Sequence, residues 1–171
     1  MEKPSTARVA IKWGIISAVF SIIYTIVYYK TTLFDNPILS WATFIFLLFG
    51  VLLSILEFKK INNNQLGFSD GLGLGTLMSA ISGLIYQFFS NIYNSYIDHS
   101  VVEKMELMYR NQLLSRGLTP EKVANEMEYA SRYTTPGFVF IQGMLLHILF
   151  GFVFSLVVSA IVKNSKPELD F

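Results

Sequence analysis

The chain has 171 residues, of which 53% are apolar or aromatic and 15% are charged. Soluble domains average about 45–50% apolar residues, glycine included, and about 25% charged residues, so this composition argues against a disordered chain and an ordinary soluble enzyme domain. The formal net charge of +1 offers no basic surface for nucleic acid. The absence of cysteine excludes disulfides, thiolate metal sites and cysteine nucleophiles.

Four long stretches without Asp, Glu, Lys or Arg predict four transmembrane helices. A helix needs about 20 apolar residues to cross roughly 30 Å of hydrocarbon. The alternative is buried core helices of a soluble protein, but four of them in this chain leave too little polar surface to cover them. We therefore expect an all-α membrane protein forming a single four-span domain over residues 1–171. The predicted spans lie near residues 9–29, 37–56, 71–97 and 137–162.

Lysine and arginine residues beside the spans predict the orientation of the chain, because cytoplasmic loops carry an excess of them. The longer third loop is also basic, but it carries acidic residues too, and charges in a longer loop constrain the orientation less. We expect both termini in the cytoplasm and residues 98–136 on the periplasmic or extracytoplasmic side. The basic residues on the inner side are then Lys3, Arg8, Lys12, Lys59, Lys60, Lys163 and Lys166.

Residues 98–136 form the only sizeable polar segment, and their pattern predicts an extramembrane helical hairpin between spans three and four. Apolar residues such as Val101 and Met105 recur at helical spacing, Gly117 breaks the helix, and Pro120 is typical of a new first turn. The hairpin either covers the helix bundle or binds a protein partner. Amphipathic stripes usually just pack, which favours the covering role.

Spans one and three resemble each other, and so do spans two and four. Ser-Ala-Val-Phe-Ser-Ile-Ile-Tyr at 17–24 parallels Ser-Ala-Ile-Ser-Gly-Leu-Ile-Tyr at 79–86, and Leu-Phe-Gly occurs at both 48–50 and 149–151. We infer two helical hairpins that arose by duplication, a parallel repeat about an axis along the membrane normal, with the polar hairpin inserted in the second copy. Chance similarity within an apolar alphabet is the alternative.

Small residues recur at every fourth position of spans three and four, which predicts close helix packing. Lipid supplies no hydrophobic drive between helices, so small side chains mark the places where backbones approach closely. A functional groove is the alternative, but such stripes are common in bundles. The predicted packing residues are Gly71, Gly75, Ser79, Gly83, Gly143, Gly151, Ser155 and Ser159.

His147 is the one readily ionisable residue deep in a span, which makes it the candidate functional residue. It lies on the small-residue face of span four, and its counterpart in the proposed repeat is Phe46. No Asp or Glu lies within a predicted span to pair with it. A neutral histidine that is hydrogen-bonded inside the bundle is therefore favoured over a proton relay or a ligand site.

Other polar residues give little sign of chemistry. Capping and pairing with Lys59 or Lys60 explain Glu57, beside the second loop. Asp98, His99 and Glu103 could place metal ligands on one helical turn, but a fuller set of ligands is missing. The sequence lacks the common nucleophile, phosphate-loop and metalloprotease motifs. We expect no catalytic residue, no cofactor and no metal, and we do not expect an enzyme.

Several segments resemble a known family. Residues 8–14 lead into span one as Arg-Val-Ala-Ile-Lys-Trp-Gly, and residues 66–71 open span three as Leu-Gly-Phe-Ser-Asp-Gly. The insert ends in an acidic helix and Pro136, and residues 155–163 close the last span. In these features, over nearly its whole length, the chain resembles the uncharacterised bacterial membrane proteins grouped as domain of unknown function 4199. The resemblance implies a multi-pass protein of the bacterial inner membrane with no established activity.

Two functions remain open at this point. The first is a non-enzymatic integral membrane protein with a structural, accessory or partner-binding role. The second is a small transporter or channel subunit with His147 in its helix bundle, although the lack of carboxylates within the spans counts against proton or cation coupling. The expected partners are the lipid bilayer, a protein bound through residues 98–136 and a second copy of the chain, with no nucleic acid.

Overall fold

A computed structural model of the protein describes residues 5–31 and 36–164. Within these ranges the chain forms helices joined by short turns, with one isolated bridge between Leu66 and Asn164. In chain order the helices are α1 (Thr6–Lys30), α2 (Pro37–Ser40), α3 (Thr43–Ile61), α4 (Phe68–Ile92), a π-helix (Tyr93–Ile97), α5 (Ser100–Ser115), α6 (Pro120–Ser131) and α7 (Pro136–Val162). Lys3 and Lys166, two of the basic residues used to predict the orientation, lie outside the described residues.

In the described part of the chain, four helical segments are long and apolar enough to cross a membrane, which confirms the predicted fold class. They are Thr6–Lys30, Ile38–Ile61, Phe68–Ile97 and Pro136–Val162. The helices extend past some of the predicted spans, so that Glu57 lies in the last turns of α3 and Asp70 in the first turn of α4. Composition does not separate these turns from a loop, because helix ends also carry charged side chains.

Burial in these helices differs from what a water-soluble domain shows. Large apolar side chains point outward, and Phe20 and Leu149 are 54% and 57% exposed. Small polar side chains such as Ser17, Ser54 and Ser155 are buried instead. Continuous exposed apolar surface is unfavourable in water but matches the chemistry of lipid tails. The outward faces of the four helices therefore suit contact with a bilayer.

Residues that favour turns and caps set the ends of several helices. The Asn36 side chain accepts a hydrogen bond from the Ile38 backbone N–H at 3.0 Å, so that it caps α2. Gly117 adopts a left-handed conformation with φ of 81° in the turn before α6. Helix α6 then begins at Pro120, as predicted. Because proline lacks the N–H that a first turn leaves unpaired, it is well suited to this position.

The chain divides into two compact units: Met1–Tyr86 together with Met144–Phe171, and Gln87–Gly143. The first unit contains α1, α3, most of α4 and most of α7. The second contains the other ends of α4 and α7, the π-helix, α5 and α6. The predicted polar insert, 98–136, lies within the second unit. The description of the whole chain as a single membrane domain stays a prediction.

In the first unit, α1 and α3 run antiparallel and share an apolar core. The Ser17 hydroxyl of α1 donates a hydrogen bond to the Phe46 carbonyl of α3 at 3.1 Å. Val51, Ile55 and Phe58 of α3 are fully buried and belong to the same cluster as Leu74 and Met78 of α4. Dense contact of this kind supplies dispersion energy that lipid cannot supply equally well.

Helices α4 and α7 also pack antiparallel in this unit, through the predicted small residues. Each four-residue step forward along α4 matches a four-residue step back along α7. At each level a glycine lies against a larger side chain, and a Cβ added to the glycine would collide with it. The pairs are Gly71 with Ser159, Gly75 with Ser155, Gly151 with Ser79, and Gly83 with His147.

Contacts in the two helix pairs occur at positions that the proposed repeat makes equivalent. Gly50 of α3 lies beside Ser17 of α1, and Gly151 of α7 lies beside Ser79 of α4. The sequence alignment that motivates the repeat pairs these two serines and these two glycines. The duplication itself stays a prediction.

The second unit is built around the helical hairpin of α5 and α6. Val101 and Leu113 of α5 and Val123 of α6 are its buried apolar residues. Met105, which was expected in the same buried stripe, is exposed instead. Helical spacing identifies an apolar face but not which of its residues a short partner helix covers.

We expect Gly75→Ala to lower the stability of the protein by about 1–3 kcal/mol, because overpacking a tight contact forces the helices apart. An added Cβ at Gly75 would collide with Ser155 and lie 3.1 Å from Val51 Cγ1. The control is Gly73→Ala on the same helix, where a Cβ would meet nothing within 4 Å. Unfolding in detergent measures both variants, and equal stability would contradict the role of the α4–α7 contact.

Candidate functional site

His147 lies inside the first unit and is only 4% exposed. The main chain of α7 places it one turn before Gly151, on the face that packs against α4. Its Cβ and Cγ fill the space next to Gly83, where a Cβ on the glycine would lie 3.1 Å from the imidazole Cγ. His147 thus occupies the position four residues before Gly151 in the row of small residues on α7, and it is the largest side chain in that row.

Two aromatic rings lie against the imidazole. The centroids of the Phe44 and Tyr86 rings are 5.2 and 5.1 Å from its own. The Tyr86 hydroxyl is 3.0 Å from the Thr25 hydroxyl, so a hydrogen bond joins α4 to α1 at this level. Phe44 also contacts Phe150, one turn of α7 from His147, at 4.4 Å between ring centroids. Rings from two helices, α3 and α4, therefore pack against the candidate residue.

A polar cluster that the sequence did not predict joins α1 to α3. The Glu57 carboxylate accepts hydrogen bonds from Lys12 Nζ at 2.7 Å and from Trp13 Nε1 at 2.8 Å. The expected pairing of Glu57 with Lys59 or Lys60 is therefore wrong. Glu57 instead projects from α3 toward α1. Lys59, two positions along the helix, does not face it, and Lys60, three positions along, is exposed. The sequence feature that could have indicated this contact is Trp13 at the start of span one, because its indole N–H is a hydrogen-bond donor.

Polar contacts also tie the end of α7 to the turn between α3 and α4. Lys59 Nζ donates to the Val162 carbonyl at 2.9 Å. Asn164 Oδ1 accepts from the Leu66 N–H at 3.0 Å, and its Nδ2 donates to the Asn64 carbonyl at 2.6 Å. Asn63 and Asn64 both have positive φ, and asparagine tolerates that conformation better than most residues. These contacts and the Lys12–Glu57 pair involve the side chains predicted to face the cytoplasm.

In the second unit, the residues that the sequence singled out do not come together in one site. In the part of the chain that the structure describes, no three His, Asp or Glu side chains are grouped so that they could hold a metal ion. This includes Asp98, His99 and Glu103. Gly143, the last predicted packing residue, lies against the side chain of Gln87.

Two tyrosines form an exposed pair near the end of α6. The Tyr129 and Tyr133 hydroxyls are 3.2 Å apart, and their ring centroids are 5.2 Å apart. The hydrogen bond to Tyr133 raises the pKa of Tyr129, with smaller contributions from desolvation and the negative charge of Glu126. The Tyr129 phenol therefore stays protonated at neutral pH and offers a neutral hydrogen-bonding group beside an aromatic surface.

The family model for the protein of unknown function DUF4199 matches residues 12–164. The chain belongs to this family. The match covers α1 from Lys12 onward and every later helix, which confirms the resemblance seen in the sequence. No curated protein and no solved structure matches the chain. Membership and the four apolar helices together fit an integral membrane protein of unknown activity.

We expect His147→Ala to destabilise the protein by about 2–4 kcal/mol, because the substitution leaves a cavity between Phe44 and Tyr86. His147→Phe keeps a ring of similar size between the same partners, so its cost should stay below about 1.5 kcal/mol. Unfolding in mixed micelles compares the two variants. Equal losses would show that a polar contact of the imidazole, and not ring packing, holds this residue.

Proposed function

We propose that the protein is a non-enzymatic membrane scaffold that binds another protein through its extramembrane helical hairpin. The observation that carries this proposal is the packing of His147. His147, the one readily ionisable residue deep in a predicted span, lies between Phe44, Tyr86 and Gly83, as a core residue does. A catalytic or transport role would require the same imidazole to meet a substrate.

The hairpin supports the partner-binding part of the proposal. Leu107 of α5 and Tyr129 of α6 are both 58% exposed, and Leu114 of α5 is exposed as well. Aromatic and large apolar side chains are enriched at protein–protein contacts, where the partner removes them from water. We take this surface, residues 98–136, as the contact face for a protein partner.

The charges of the first unit support an orientation with both termini in the cytoplasm of a bacterial inner membrane. Lys12 pairs with Glu57, and Lys59 donates to the carbonyl of Val162 beside Lys163. These contacts bring basic residues from three segments to one end of the unit. An excess of lysine and arginine is typical of the cytoplasmic side. Residues 98–136 would then lie on the periplasmic side.

A photoreactive amino acid at Leu107 tests the partner-binding role. We expect it to form one discrete adduct with another protein in native membranes, because this side chain is exposed on the proposed contact face. Ile161, which is exposed on α7, serves as the matched control position. An adduct of twice the chain mass would identify a second copy as the partner. The same adducts from both positions, or none from Leu107, would contradict the proposal.

Single cysteines test the orientation, since the chain has no cysteine of its own. Ser69→Cys places a thiol at the start of α4 and Ser115→Cys places one at the end of α5, both at exposed positions. In spheroplasts, a membrane-impermeant maleimide should label Ser115→Cys directly and Ser69→Cys only after permeabilisation. The opposite pattern would invert the topology.

A second candidate function, a small transporter or channel subunit, is favoured by one observation. His147, Tyr86 and Thr25 form a group of polar side chains inside the first unit. The His147→Phe variant separates the two functions: a scaffold keeps its cellular phenotype, whereas a transporter that uses the imidazole loses substrate flux.

A further inference from the structure

The second unit contains a cavity of about 290 Å³ with mainly apolar walls. Val102, Met105 and Tyr109 of α5 form one wall, and Met127 of α6 and Val139 of α7 line it as well. The volume lies near the lower end of small-molecule sites, which are roughly 300–1,000 Å³. Two methionines make the walls adaptable, because their side chains are unbranched and polarisable.

A smaller cavity of about 90 Å³ adjoins this chamber, with Asn94, Val102, Thr134 and Val139 lining both. The other residues that line the smaller cavity include four uncharged polar side chains, which are Gln87, Ser90, Asn91 and Ser95. An apolar chamber thus adjoins a niche whose wall carries amides and hydroxyls, of which Asn91 already donates to the Pro136 carbonyl and Asn94 to the Ser90 hydroxyl.

The wall between the cavities contains a local irregularity of the chain. Asn94 and Ser95 belong to the π-helix Tyr93–Ile97, and π-helical turns frequently occur at functional sites. The Asn94 carboxamide oxygen is buried and has no hydrogen-bond partner among the described residues. Buried polar groups in proteins are normally paired, so this oxygen calls for a donor. It is covered by neighbouring atoms, so an occupant could bond to it only after the carboxamide rotates and gives up its 3.5 Å bond to the Ser90 hydroxyl.

The charges around the two cavities restrict the occupant. Glu106 is the single charged residue among the described residues that line them, and it lies on the chamber side. A carboxylate repels an anionic head group, and the amide niche offers no cation to compensate for one. The unpartnered Asn94 oxygen favours an occupant with a hydrogen-bond donor on an uncharged head over a purely apolar molecule, because that oxygen would otherwise stay without a partner.

We propose that these two cavities bind an uncharged amphiphile. Its apolar chain occupies the chamber, and its hydroxyl- or amide-bearing head occupies the niche beside Asn94. A medium-chain monoacylglycerol or fatty alcohol represents this chemical class. The site is independent of the scaffold role and would remain if no protein partner bound the hairpin.

The first test measures ligand binding to the full-length protein in phospholipid nanodiscs, by native mass spectrometry after release. Monodecanoylglycerol is the uncharged probe and decanoate the anionic one, with chains of equal length. We expect saturable binding of one monodecanoylglycerol and an affinity for decanoate that is at least about tenfold lower. Equal affinities, or a ladder of adducts that never saturates, would overturn the proposal.

Variants locate the site. Met127→Trp fills the chamber and should lower the affinity for monodecanoylglycerol at least about tenfold. Asn125→Trp is the matched control, because it adds the same indole at an exposed position of α6 that lines neither cavity. A folded Met127→Trp protein that binds as well as the control would refute the assignment.

Glu106→Gln provides a readout that does not depend on core packing, because this side chain is exposed. Removing the charge should strengthen the binding of decanoate, so that the difference between the affinities for monodecanoylglycerol and decanoate becomes smaller. It should leave monodecanoylglycerol binding unchanged. If the discrimination against decanoate persists in full, the lack of a cation in the niche accounts for it. A loss of monodecanoylglycerol binding in this variant would place the head beside Glu106 and overturn the assignment of the niche, even where Met127→Trp does not fold.

Discussion

The close approach of α4 and α7 is the interaction on which the rest of the first unit depends. Helices in lipid gain no hydrophobic energy from meeting each other, so the gain must come from dispersion between closely spaced atoms. A glycine at each level allows this spacing, from Gly71 beside Ser159 to Gly83 beside His147. The same helix surface brings Gly75 close to Val51 of α3, so the contact also positions the core that α3 contributes.

Two of the serines in this packing satisfy their hydroxyls within their own helix, whereas the buried Ser159 hydroxyl has no hydrogen-bond partner among the described residues. Ser79 donates to the Gly75 carbonyl at 2.8 Å and Ser155 to the Gly151 carbonyl at 2.5 Å. An unpaired hydroxyl in an apolar medium is costly, and a bond to the preceding turn removes that cost without requiring a partner helix. Such a serine then behaves as a small, nearly apolar surface. Stronger polar contacts, such as Glu57 with Lys12 and Trp13, lie near a helix end.

The two compact units differ in what they offer to other molecules. In the first, the candidate ionisable residue is enclosed by Phe44 and Tyr86, which suits a scaffold. In the second, Leu107 and Tyr129 are exposed, and Met105 and Met127 line a chamber. The exposed apolar side chains and the chamber therefore lie in the unit with the smaller buried apolar core, and binding sites generally need accessible and adaptable surfaces of this kind.

Hydropathy was sufficient to predict the four apolar helices, because the length of an apolar run depends only on local sequence. The four-residue spacing also identified which faces of α4 and α7 carry small residues, since helix geometry makes that a local property. The sequence could not show that Glu57 would reach Lys12 and Trp13, because this contact depends on the rotation of α3 against α1. The sequence also could not show that Met105 would line the apolar chamber of the second unit instead of packing in the buried stripe of α5. Which side chain covers which, and where space is left between helices, follows from the packing of distant segments, and only the tertiary structure decided it.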